Sequence, residues 1–269
     1  MPTDVSPDAR VAAVALRLED YLRRYDTARD ERAIFAFLYL LITRSLAANL
    51  ADDRVEFRDP GWVAALAEAF GRRYFAAMDA IDGVLEAART ANRRVTARDL
   101  AGVASAPWID AYLAIRDRAY VFESLLFPMM AHLSYDLPLA LLEIGLEGED
   151  GSHVADFHRM NRVLAEATPD LEQAVAARYN PLLPVFDKTA GRYGVFFSNY
   201  GIRATRSLGW YNAYRLRDPL SEKDARGSIE RSTAAFVEFA RRPEERSLRW
   251  LVRAARLILP RYHRWPAPI

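Results

Sequence analysis

His132 and Asp136 stand four residues apart in an otherwise apolar run, MMAHLSYDLPLALLE, flanked by Pro128 and Pro138. On a helix this spacing stacks an imidazole and a carboxylate on one face, one turn apart. Leu125 and Met129 share that face, so both polar groups are expected to be buried against an apolar wall. Pro128 should kink the helix and Pro138 should end it, because proline lacks the N–H that the helical ladder needs. A second segment, SHVADFHRMNRVL, carries His153, Asp156, His158 and Asn161. His158 and Asn161 fall on the stripe of Val154, Phe157 and Leu164 and are expected to face inward. Of the chain's 4 histidines, His132, His153 and His158 all lie in this stretch, together with Asp136 and Asp156.

Imidazole nitrogens and carboxylate oxygens suit zinc, iron or manganese. One reading is therefore a single divalent metal held by His132, Asp136 and His158, with His153 or Asp156 as a further ligand or partner. An open coordination position would acidify a water or take a substrate oxygen. Two other readings fit the same residues. One is a metal-free acid–base site. The other is a buried pair in which Asp136 fixes the tautomer of His132 while His158 and Asn161 satisfy nearby carbonyls. Glu123, on the helix leading into His132, is another carboxylate that could complete a site. A third segment, FFSNYGIRATRSLGWYNAYRLRD, offers Asn199, Tyr211 and Asn212 to orient a substrate and Arg203 or Arg206 to hold a carboxylate or phosphate. Core packing of its aromatic rings, with the arginines paired to acids elsewhere, is the competing reading.

The elements that must position these groups read as helices throughout. Apolar residues recur at spacings of three and four, and strand-like alternation is rare. Helices are expected at about 8–25, 30–50, 60–91, 108–136 with a kink, 138–146, 152–179, 181–193, 199–217, 224–241 and 244–259. Caps mark several starts: Asp59 before Pro60, Thr96 with Asp99, Ser152 before His153, and Ser221 with Asp224. The breaks between helices are short. The expectation is an all-α fold, a single multi-helix bundle forming one domain over residues 1–269.

Composition narrows the function classes. The chain has 269 residues with 51% hydrophobic content, enough for a substantial core. Its 37 basic and 36 acidic residues leave a net charge of +1, so no global field points to nucleic acid or an anionic membrane. With no cysteine there is no thiolate chemistry and no disulfide framework. The N-terminus lacks the pattern of a secretory signal, and the run AIFAFLYLLI is too short to span a bilayer, so a cytoplasmic protein without a stable membrane span is expected. The arginines of RSLRWLVRAARLILPRYHRW are expected on the solvent face of a packed helix. No glycine-rich phosphate loop, nucleophile elbow or dinucleotide fingerprint is present.

The runs AYVFESLLFPMMAHLSYDLPLALLEIG, DFHRMN and GWYNAYRLRD resemble an uncharacterised bacterial family of all-helical proteins, a domain of unknown function to which no reaction is assigned. Locally, His132, Asp136 and Pro138 are similar to a motif of the zinc phospholipase C and P1 nuclease family. That resemblance implies metal ligation by His132 and Asp136 only, since Leu141 and Leu142 stand where the family places its next histidine and His158 is followed by Arg162 in place of a carboxylate. The MDAID run, with Asp79 and Asp82, is similar to the paired aspartates of class I terpene cyclases. Together the residues lead to a helical enzyme acting on a small, largely apolar molecule, with a non-catalytic binding module for a lipid-like or polyketide-like ligand as the alternative.

Overall fold

In a computed structural model the chain is described over residues 5–116, 120–180, 199–241 and Trp265. The helices expected at 181–193 and 244–259, with the arginine-rich face of the latter, lie outside those residues. Among the described residues all regular structure is helical. α1 (Pro7–Ala28), α2 (Arg32–Ala51) and α3 (Pro60–Thr90) come first, followed by a single turn, α4 (Ala97–Leu100). α5 (Ala106–Ile115) and α6 (Val121–Ala131) lead into a π-helical turn, His132–Asp136, and then α7 (Leu137–Ile144). α8 (Ser152–Tyr179), α9 (Asn199–Arg217) and α10 (Glu222–Arg241) complete the described bundle.

Sequence signals account for most of the boundaries. Asp59 accepts a hydrogen bond from the Trp62 backbone N–H at 2.8 Å and caps α3, with Pro60 where a missing N–H costs nothing. Thr96 and Asp99 form the expected capping box. Ser221 differs from expectation, since its hydroxyl donates back to the Arg215 carbonyl at 2.9 Å.

The single helix expected over 108–136 is corrected. The break falls before α6, where Tyr120 is extended (φ −70°, ψ 151°), while Pro128 is accommodated inside α6. The Tyr120 N–H donates to the Glu123 carboxylate at 3.1 Å, so Glu123 serves the start of α6. Tyrosine is not a residue type that announces a cap, which hid the boundary in the sequence.

Among the described residues, two large apolar cores and one small cluster join the helices. The first core is built mainly from α1, α2, α3, α5 and α6, with Val175 and Tyr179 of α8 and Val237 of α10, and the second from α1, α2, α3, α7, α8 and α9. The small cluster joins Leu139 of α7, Leu216 of α9, and Ala225 and Ile229 of α10. Phe70 and Leu133 pack against both large cores. Arg32–Ala51 and Val121–Ile144 are long and apolar enough to cross a bilayer, with mean hydropathy of 1.7 and 1.4. In the bundle the first is half buried and the second mostly so, as core helices are.

Along the outer edge of the first core runs a polar seam. Arg32 is buried and pairs with Asp30 and Asp82, both at 2.7 Å. The Tyr25 hydroxyl donates to Asp82 at 3.2 Å, and Asp79 accepts from the Tyr21 hydroxyl and from Arg17. Asp79 and Asp82 are thus tied to α1 and the start of α2. These partners occupy the carboxylates that resemble a paired-aspartate motif.

Candidate functional site

The turn that carries His132 and Asp136 has a local cause. In a regular helix the N–H of residue 138 would bond four residues back, and proline has none. The chain widens to a π turn instead, in which the Leu137 N–H bonds to the His132 carbonyl. α9 presses onto this turn through Gly209. A Cβ there would lie 3.2 Å from the Leu133 carbonyl oxygen and 3.0 Å from the Leu137 side chain, so glycine permits the close approach.

His132 and Asp136 are 2% and 4% exposed. His132 Nδ1 lies 2.8 Å from Asp136 Oδ2, and the Trp108 indole N–H donates to the same oxygen at 2.8 Å. A carboxylate only accepts, so Nδ1 carries the proton and Nε2 presents its lone pair. Nε2 is buried with no hydrogen-bond partner among the described residues. Phe70 stacks on the imidazole at 3.5 Å with the rings within 8° of parallel, and Tyr39 meets its edge at 4.8 Å. Burial in this aromatic cage pushes the His132 imidazole below its ordinary value. The hydrogen bond and charge of Asp136 work against that shift without reversing it. The Tyr39 phenol is pushed well up, first by burial and then by the Asp136 charge, and stays protonated.

Against this pair lies a cavity of about 120 Å³ between the two cores. Its wall is largely apolar, formed by residues such as Leu46, Phe70, Met129, Leu133 and Phe157, and His132 is part of it. An engineered apolar cavity of about 150 Å³ takes up benzene, which sets the scale of the buried portion of an occupant. Among the described residues, Thr43, Asp156 and Arg206 are the other strongly polar ones in the wall. The Thr43 hydroxyl donates to the Tyr39 carbonyl at 2.8 Å.

The remaining candidates are placed elsewhere or are occupied. Asp156 is fully buried and accepts from the Arg58 and Asp59 backbone N–H groups at 2.9 and 2.7 Å and from Arg159 at 2.8 Å, which ties α8 to the start of α3. His153 stacks on Trp62 at 4.5 Å, with Nε2 3.3 Å from Asp59. His158 is exposed, which corrects the expectation that it faces inward. Val154, on the same side as His158, is itself 37% exposed; the buried face of α8 runs through Asp156, Phe157, Asn161 and Leu164. His132 and His158 therefore do not share a site.

Asn161 is buried and accepts from Arg206 Nε at 2.9 Å. Asn212 is buried and accepts from Arg215 at 3.2 Å, Tyr211 is 59% exposed, and Arg203 is exposed. Neither Asn212 nor Tyr211 lines the cavity. Among the described residues no three His, Asp or Glu side chains are grouped to hold a metal ion. His158 is outward, and Asp156 holds two backbone N–H groups and Arg159, so the donors named from the sequence are not gathered at one point among the described residues.

Sequence reasoning did not find Trp108, Tyr39 and Phe70 as the frame of His132. Their signal was faint. Aromatic residues at helical spacing on α2, α3 and α5 look like any core stripe, and only the tertiary packing brings them to one imidazole.

Fold and site together define an all-helical bundle with a buried, carboxylate-oriented histidine on the wall of an apolar cavity. The model of a family described as "Family of unknown function (DUF5995)" matches residues 11–243, and the chain belongs to that family. No curated protein and no solved structure matches the chain. The local likeness to zinc phospholipases finds no support in these comparisons.

Proposed function

We propose that the protein takes a small, largely apolar molecule into the cavity beside His132 and that His132, oriented by Asp136, acts on it as a general base. One observation carries the reading: the imidazole has one nitrogen anchored on a buried carboxylate and the other unpartnered, in a residue of an apolar cavity wall. Burial keeps the ring neutral at physiological pH, the form that accepts a proton. Trp108 holds Asp136 as Asp136 holds His132, so the dyad is anchored from behind. The reaction class that fits is proton abstraction from a bound substrate, or from a hydroxyl or water held against it. No metal enters this reading.

The largely apolar wall favours a second reading, a binding module in which the same dyad only orients its ligand. One experiment separates the two. Protein purified under native conditions is extracted with organic solvent, and the extract is analysed by mass spectrometry. The extracted compound is then returned to fresh protein in heavy water. Turnover or deuterium uptake that disappears in His132→Gln supports the general base, whereas retention without change in both proteins supports the binding module. If nothing is extracted and small apolar compounds leave the melting temperature unmoved, the pocket reading itself fails.

A further inference from the structure

Arg206 is 6% exposed and sits in the wall of the same cavity. Its Nε donates to Asn161 at 2.9 Å, one Nη donates to the Phe157 carbonyl at 2.9 Å, and its Cζ lies 4.3 Å from the Phe157 ring centroid. The other Nη finds no acceptor, and no carboxylate pairs with this guanidinium, among the described residues. The other deeply buried arginine among the described residues, Arg32, has Asp30 and Asp82 on it. A charge removed from water without a counter-charge is costly, and hydrogen bonds to neutral groups and a ring face offset only part of that. Burial pushes the guanidinium down to about 10, so it is still cationic at neutral pH.

Among the described residues the one carboxylate in the cavity wall, Asp156, is directed elsewhere. Its oxygens are taken by two backbone N–H groups and by Arg159. Among the described residues the wall thus carries one uncompensated positive charge, fixed in direction by Asn161 and the Phe157 carbonyl. Its free N–H groups match a planar acceptor. A monoanion neutralises that charge, while a dianion such as a phosphate monoester would leave an excess negative charge beside Asp156.

We infer that the cavity is a site for a monocarboxylate with an apolar body, its carboxylate held by Arg206 and its body packed between the two cores toward His132. This deepens the proposed pocket and rests on it. Arg206 acts here as a binding and specificity residue, and His132 faces the far part of the molecule as its proton acceptor. The site then joins a fixed cation to a proton acceptor across an apolar space, an arrangement that selects substrates by both head group and body.

The test titrates the full chain with octanoate, octanamide and octyl phosphate at neutral pH by calorimetry, using wild type, Arg206→Met and Arg206→Lys. Circular dichroism melting checks the fold of each. Octanoate is expected to bind wild type at least about tenfold more tightly than octanamide, and more tightly than octyl phosphate. Arg206→Met is expected to lose the preference while still binding octanamide, and Arg206→Lys to keep part of it, since an ammonium retains the charge without the planar fork. Should Arg206→Met fail to fold, the wild-type ratios and Arg206→Lys decide. Equal binding of octanoate and octanamide by wild type overturns the carboxylate inference and leaves the apolar pocket standing. Tighter binding of octyl phosphate overturns the choice of a monocarboxylate. If none of the three binds, both the inference and the pocket are overturned.

Discussion

Asp136→Asn is the perturbation that probes the dyad with least change of shape. Two hydrogen bonds at 2.8 Å, from His132 and Trp108, end on one oxygen of this buried carboxylate. Asparagine can hold its amide oxygen in the same place, so both contacts survive without the charge. Hydrogen bonds to a charged group contribute about 1.5–3 kcal/mol each and neutral ones about 0.5–1.5, a loss of about 2–3 kcal/mol for the two. Relief of the carboxylate's desolvation works the other way, leaving a net destabilisation of about 1–2 kcal/mol. For a chain of this size that is a fall in melting temperature of about 2–8 °C. The same substitution removes the charge of Asp136, one of the two influences that raise the His132 pKa, so the imidazole should titrate lower still. Thermal unfolding followed by circular dichroism and 15N NMR of the histidine rings measure both effects. An unchanged melting temperature with unchanged His132 ring shifts would refute the dyad.

Four further outcomes follow from the same geometry. The folded-state pKa of His132 lies below its unfolded value near about 6.5, so the unfolded chain binds the proton first and stability is lost as pH falls from about 6.5 through the folded value; His132→Gln should flatten that part of a urea-denaturation pH profile. Asp156→Asn turns an amide N–H toward backbone donors that now have a carboxylate, and should cost about 2–4 kcal/mol in chemical denaturation without abolishing ligand uptake. Gly209→Ala drives a methyl against the Leu133 carbonyl, and should cost about 1–2 kcal/mol and shift the His132 NMR signals as the π turn moves. His158→Ala removes an exposed ring and should change the unfolding free energy by less than about 0.5 kcal/mol.

The helical class was legible because its signals are local. Spacing of apolar residues, the Asp59–Pro60 start of α3 and the Thr96–Asp99 box each depend on a few neighbouring residues. The His132–Asp136 pair was legible for the same reason, as a single turn between two prolines. What failed depended on angle or on distance along the chain. Phe157, Asn161 and Leu164 lie on the expected stripe and are buried, whereas Val154 and His158, at its edge, are exposed, because the width of a buried stripe depends on neighbouring helices that the local spacing does not show. Arg206 could be named as an anion-binding candidate, but its contacts with Asn161 and Phe157 on α8 needed the fold. The break before α6 used a cap of an unusual residue type. The cavity itself arises where two cores fail to close around Phe70 and Leu133, and no short-range pattern encodes a gap.

Entry of an apolar molecule into the cavity as far as His132 is visible in ring NMR of histidine-labelled protein. On titration with octanoate at neutral pH, the account predicts a saturable shift of the His132 ring nitrogens, with Nε2 moving most, while His153 and His158 hold still. Saturation of the protein with octanoate, established by calorimetry on the same sample, while the His132 resonances stay unmoved would contradict it.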